Sequence, residues 1–214
     1  MVARVTGPPE PDQTIQVSFT QKFLEESVQV LKTIDRSAIE TCASGLADVR
    51  QRGGRLFVLG VGGSAGHASH AVNDFRKLCG FEAYAPTDNV SELTARINDD
   101  GWDRAFSDWL DGSHLSERDG VLVLSVGGGD AERGVSGNLV SAMQLARDRR
   151  ASIFAIVGRD GGYAAKVADG FVLIPPLYPE HVTPHTEGLC AVIWHLLVTH
   201  PLLARRSAKW EELK

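Results

Sequence analysis

Three glycine- and serine-rich segments each follow a short apolar run. They are Gly60-Val61-Gly62-Gly63-Ser64, then Ser125-Val126-Gly127-Gly128-Gly129 continuing to Ser136-Gly137-Asn138, and Gly158-Arg159-Asp160-Gly161-Gly162. A helix that opens on such a segment leaves free N–H groups and a partial positive charge at its start. Glycines let the backbone approach an anion, and a serine hydroxyl adds a donor. Two loops of this kind together point to a phosphate monoester. Gly60-x-Gly62-x-x-Ala65 also satisfies the spacing of a dinucleotide fingerprint. That reading needs an acidic residue at the end of the second strand. Glu82 falls at that strand's start and Asp88 beyond its end, and the second Gly/Ser loop is left unexplained.

The elements that position these loops alternate. Apolar strands are expected at 55–60, 82–86, 120–126, 152–158 and 171–175, with helices at 62–78, 99–110, 136–150, 162–168 and 186–200. Short apolar strands alternating with helices make a parallel sheet covered on both faces. In such sheets ligands bind beyond the carboxyl ends of the strands, where all three loops fall. Residues 14–52 read as an arm of two helices, the second opened by Asp35/Ser37 and ended by Gly53-Gly54. The expected organisation is a flexible tail, 1–13, and one domain, 14–214, that includes the arm.

The chain has 214 residues, 43% of them hydrophobic and 23% charged, enough for one well-filled core. A net charge of −5 gives no general attraction to nucleic acid or to an anionic membrane surface. No apolar run approaches the roughly 20 residues that span a bilayer. The opening MVARVTGPPEPDQ lacks the apolar stretch of a secretory signal. Cys42, Cys79 and Cys190 are odd in number and include no CxxC, so they read as core residues of a cytoplasmic protein.

GVGGSAGHASHAVNDF resembles the GNGGSAxxxxHxxxE segment of the phosphoheptose isomerases, a branch of the sugar isomerase (SIS) domain family. TDNVSELTARINDDGWDRAFSDWL, the SVGGG…SGN pair, VGRDGGYAAKVAD and the last helix through His195 continue the likeness over roughly residues 15–200. The resemblance implies a flavodoxin-like α/β domain, a five-stranded parallel sheet flanked by helices, with an N-terminal helical arm. It also implies a homotetramer with sites between subunits, and zinc in some members. The implied reaction converts sedoheptulose 7-phosphate to D-glycero-D-manno-heptose 7-phosphate.

By the same likeness His70 falls on the family's helix histidine, Asp74 on its catalytic glutamate, Glu187 on its glutamine and His195 on its acid/base histidine. Gly62, Gly63, Ser64, Ser125, Gly127, Gly128, Ser136 and Asn138 fall on the phosphate loops. Asn98 and Asp99 match an unchanged Asn-Asp pair, and His185, beside Glu187, is a candidate substrate contact. The departures are Asp74 for glutamate, Glu187 for glutamine, Pro184 for an aspartate, Val126 and Gly127 at usual hydroxyl positions, and an insertion at 129–135.

His70 and Asp74 are four apart on one helix and share a face. With Glu187 and His195 they form a donor set suited to zinc or another divalent metal. Aldose–ketose isomerisation needs a base for a carbon-bound proton and an acid to return it through an enediol. Asp74 or Glu187 is the expected base, and His195 the acid/base partner. The competing function is a non-catalytic SIS module that binds a sugar phosphate or a protein partner.

Overall fold

The computed structural model describes residues 13–213. The tail expected at 1–13 lies outside them, apart from Gln13, which opens the first helix. The arm forms α1 (Gln13–Thr33) and α2 (Arg36–Gln51). Asp35 caps α2 as its position predicts, accepting from the Ser37 N–H at 2.8 Å. Ile39, Cys42, Ala43, Leu46 and Val49 form the buried stripe of α2.

Five strands follow: β1 (Leu56–Gly60), β2 (Ala83–Tyr84), β3 (Gly120–Ser125), β4 (Ser152–Val157) and β5 (Gly170–Leu173). They lie in the order β2-β1-β3-β4-β5, every neighbour parallel. Their continuous apolar sequences divide by alternation. Leu56, Val58, Leu122, Leu124, Phe154, Ile156 and Val172 enter one core with the arm, α3 (Gly63–Cys79) and α8 (Val182–Thr199). Phe57, Leu59, Val121, Val123, Ile153 and Val157 enter the other, with α5 (Ala105–Gly112) and α6 (Gly137–Asp148). The remaining helices are α4 (Val90–Asp100), α7 (Gly162–Val167) and α9 (Lys209–Glu212). This is the expected flavodoxin-like α/β layer order. No helix among the described residues is long and apolar enough to cross a membrane.

Three expected boundaries differ. The helix placed at 99–110 is two helices, α4 and α5, separated at Gly101 (φ 85°) by a 3-10 turn, Trp102–Arg104. Helix α4 buries no residue fully and touches the core only through Leu93 and Ile97; its start is marked by the Asn89 cap, which accepts from the Glu92 N–H at 3.3 Å. Strand β2 has two residues rather than five, because the chain turns at Pro86. Helix α8 begins at Val182, ahead of Pro184; a proline in the first turn removes no helical hydrogen bond.

All three cysteines are buried, and burial pushes the thiols of Cys42 and Cys190 to about 12 and of Cys79 to about 11. They are packing groups, as expected.

Asp119, 2% exposed, pins the lower edge of β1 to that of β3. It accepts from the Arg55 backbone N–H at 2.9 Å, from the Arg55 guanidinium at 2.8 and 3.1 Å, and from Ser116 N–H at 2.9 Å. Burial opposes its charge, but these donors outweigh burial and hold its carboxyl below the ordinary aspartate range. The resulting stabilisation is present at neutral pH and is lost as pH falls below about 4. Asp119→Ala should cost about 3 kcal/mol at pH 7, because it strands a partly buried guanidinium. Urea unfolding at pH 7 and pH 3.5 checks this, and the difference between variant and wild type should shrink at the lower pH.

Candidate active site

The two faces of the sheet determine where a ligand can sit. From β1 the chain crosses to α3 on one face, and from β3 to α6 on the other. Two neighbouring strands whose connections diverge leave a crevice beyond their carboxyl ends. The first loop turns at Gly62, whose φ of 61° and ψ of −126° only glycine adopts readily. Ser64 is buried in the first turn of α3. In the second loop Ser125 Oγ accepts the Gly128 N–H at 3.0 Å. The carbonyls of Gly128 and Gly129 accept the N–H groups of Ala164 and Tyr163 at 3.0 and 2.8 Å, so this loop is tied to the start of α7. Gly128 is buried there, while Gly127 stays partly open. Ser136 enters α6 in the left-handed region (φ 53°). Asn138 is fully buried; its Oδ1 takes the Leu139 N–H at 2.9 Å and its Nδ2 has no partner. The inserted segment closes on itself through the Asp130–Val135 bridge.

The structure brings His70, Asp74 and His195 together. Asp74 Oδ2 lies 3.7 Å from His70 Nε2 and 3.9 Å from His195 Nε2, and the two imidazole centroids are 5.3 Å apart. Helices α3 and α8 run side by side, with Glu187 beside Gly63 and His195 beside His70. Trp194, wholly buried, fixes this arrangement: its ring stacks on His195 at 3.5 Å and meets His70 edge-on at 4.7 Å. His195 Nδ1 donates to the Ala191 carbonyl at 2.7 Å. That bond assigns the ring proton to Nδ1 and leaves the Nε2 lone pair facing Asp74. Asn73 Nδ2 donates to Asp74 Oδ1 at 2.9 Å and orients the carboxylate.

The ligand atoms of His70, Asp74 and His195 lie within 4.8 Å of one another, a group that could hold a metal ion. Two imidazoles and a carboxylate leave a fourth position open, the pattern of catalytic zinc. The Ala191 carbonyl and the Asn73 amide are the outer partners such a site needs. Glu187, expected as a fourth ligand, is not in the group. Its Oε1 would lie 2.8 Å from a Cβ placed on Gly63. Two turns of α8 separate it from His195, roughly 12 Å along the axis. Its carboxylate instead faces the start of α3, where the helix dipole favours an anion.

His185 also departs from expectation. It is 5% exposed, faces α1, and contacts Glu26 and Ser27 rather than either glycine loop. Asn98 and Asp99 sit on the exposed last turn of α4, with Asn98 Nδ2 donating to Asp99 Oδ1 at 2.8 Å. Neither reaches the His70 group.

No family model matches the chain. The phosphoheptose isomerase of Citrifermentans bemidjiense is 33% identical over 165 residues, covering 75% of this chain and 80% of that protein. The chain belongs to the phosphoheptose isomerase family of sugar-phosphate isomerases. The lincomycin biosynthesis protein LmbN of Streptomyces lincolnensis is 31% identical over 211 residues, covering 94% of this chain and 71% of LmbN. The solved phosphoheptose isomerase of Neisseria gonorrhoeae superposes with a TM-score of 0.72 at 26% identity, covering 86% of this chain and 96% of that one.

Within this phosphoheptose isomerase fold, the sequence reading missed Trp194 and a second histidine group, Glu26 with His181 and His185. The signal for Trp194 was its place next to His195. The i, i+4 spacing of His181 and His185 was visible too, but Glu26 lies on a distant helix. Trp194→Ala should destabilise the fold by about 3–5 kcal/mol. Trp194→Phe, which keeps a ring against both imidazoles, should retain most of that stability. Thermal denaturation of both variants checks the order.

Proposed function

We propose that this protein interconverts a ketose phosphate and the matching aldose phosphate through an enediol, with sedoheptulose 7-phosphate to D-glycero-D-manno-heptose 7-phosphate as the leading reaction. The observation that carries this reading is the convergence of a carboxylate and two imidazoles beside a phosphate-type crevice in a chain of this family. The phosphate would rest on the free N–H groups that open α3 and α6, with the hydroxyls of Ser64, Ser125 and Ser136 and the backbone of Gly62, Gly63 and Gly127. Val126 and Gly127 supply no hydroxyl, so this cradle offers fewer side-chain donors than the family pattern.

Asp74 takes a proton from C1 of the ketose and returns it at C2. His195 Nε2 accepts the proton of O1 and gives it to O2, while the Ala191 carbonyl holds the ring in the required tautomer. Zinc held by His70, Asp74 and His195 would supply polarisation of the sugar carbonyl. Zinc there would take the Asp74 oxygen and His195 Nε2, so the proton transfers above are those of the zinc-free protein, and Glu187, facing the start of α3, is the alternative base. Asp74→Asn should lower kcat of the zinc-free protein by at least about 10²-fold, and Glu187→Gln should lower it by less, with or without added zinc. Full activity of both variants in both forms excludes both carboxylates as the base.

The first experiment is proton NMR of protein and sedoheptulose 7-phosphate in D₂O, run alongside the six- and eight-carbon ketose phosphates. An aldoheptose phosphate with deuterium at C2 supports the reading; faster turnover of another sugar reassigns the substrate. Ligand binding with no turnover of any of them would favour a binding module.

We also place the protein in the cytoplasm as a homotetramer. His70 and His195 are about half exposed, and Phe19, Leu24, Val28 and Leu31 of α1 leave an apolar face uncovered together with Val192 and Leu196 of α8. A second copy on that face would cover the candidate site. Light scattering should give the mass of four chains.

A further inference from the structure

We propose that Glu26, His181 and His185 form a second metal site, for zinc or a similar divalent cation, which clamps the arm to the start of α8. The site is distinct from the His70 group. His185 and Glu187 are two residues apart on α8, so their side chains leave the helix in nearly opposite directions.

Glu26 is 3% exposed in α1. A single oxygen, Oε2, lies 2.7 Å from His181 Nδ1 and 3.0 Å from His185 Nε2. The other oxygen, Oε1, is buried without a hydrogen-bond partner; the exposed Lys22 ammonium stands 3.5 Å from it and the same distance from Glu180. The three ligand atoms lie within 4.8 Å of one another.

The hydrogen bonds around His185 show what the group lacks. Ser27 Oγ donates its one hydrogen to the Phe23 carbonyl at 2.9 Å. It can therefore only accept from His185 Nδ1, 3.3 Å away. With the proton on Nδ1, a neutral His185 turns the bare lone pair of Nε2 toward the lone pairs of Glu26 Oε2. That contact repels unless a proton or a metal cation is shared between the two atoms. An imidazole whose far nitrogen is committed to an outer partner, and whose near nitrogen faces a carboxylate, is how histidines are presented to metals.

The surroundings fit. Phe23 stacks on His185 at 4.6 Å and meets His181 edge-on at 5.5 Å, and Phe19 lies 5.8 Å from His181. Apolar walls raise the penalty for an uncompensated carboxylate. Two imidazoles and a carboxylate favour zinc over magnesium or calcium. Zinc bonds of about 2.0–2.1 Å in a tetrahedron separate ligand atoms by roughly 3.3 Å, so the present contacts need to open by a few tenths of an ångström.

The test is metal counting on chelator-stripped protein reloaded with zinc and desalted, by plasma mass spectrometry. The double variant His70→Ala/His195→Ala removes the other group and should still hold one zinc per chain. Adding Glu26→Gln to it should remove that zinc. Zinc should also raise the melting temperature of the double variant and leave that of the triple variant unchanged. A folded double variant that binds no zinc overturns the proposal, as does a triple variant that keeps it. Should the double variant not fold, cobalt titration of the wild-type chain decides: a bound cobalt whose absorption Glu26→Gln removes supports the site, and a spectrum unchanged by that substitution overturns it.

Discussion

The alignment of α8 along α3 governs most of what this molecule can do. Both helices rest on the same face of the sheet, and their shared seam carries Trp194, Ile193 and Leu197, all buried. A slip of one residue would rotate every side chain of α8 by about 100°. His195 would leave Asp74, and Glu187 would leave the start of α3. The contact begins above β4 at Gly158, where any side chain would run into Thr186 of α8 and the Val126 carbonyl. A glycine at a strand end and an indole two turns along thus set the geometry of two carboxylates and two imidazoles.

Much of the fold was legible because its signals are local. The apolar runs, the Asp35 cap and the glycine-led helix starts all lie within a few residues of the features they specify, and the five strands form where expected, β2 shorter than expected. Helix α4 was not legible. It rests on the protein through Leu93 and Ile97, both only partly buried, and its residues read as polar. The site divides in the same way. His70 and Asp74 share a helix and needed only spacing. Their pairing with His195 required the family resemblance, since 121 positions separate Asp74 from His195. Glu187 and His185, two apart on α8, face different ways, so Glu187 lies by Gly63 rather than in the His70 group and His185 meets Glu26. Neither the partner of His185 nor the neighbour of Glu187 could be read from the residues around them.

The two histidine groups contrast in their surroundings. One is half exposed, open on the side where a sugar could approach. The other is closed by aromatic rings and by α1. Solvent access is the physical difference between them: the side chains of His70 and His195 are 57% and 48% exposed, those of His181 and His185 18% and 4%. Each has a member on α8, His185 near its start and His195 near its end.

The distance along the chain between His70 and His195 has a consequence for synthesis. No partly made chain can assemble the group, because its last member is the final part of the domain's last long helix. Strand β1 emerges early, yet its central neighbour β3 begins only at Gly120. A chain that has been made only as far as α4 would present β1 with an unpaired edge on the β3 side. A chain that stops before α8 lacks His195 altogether and cannot form the group at all.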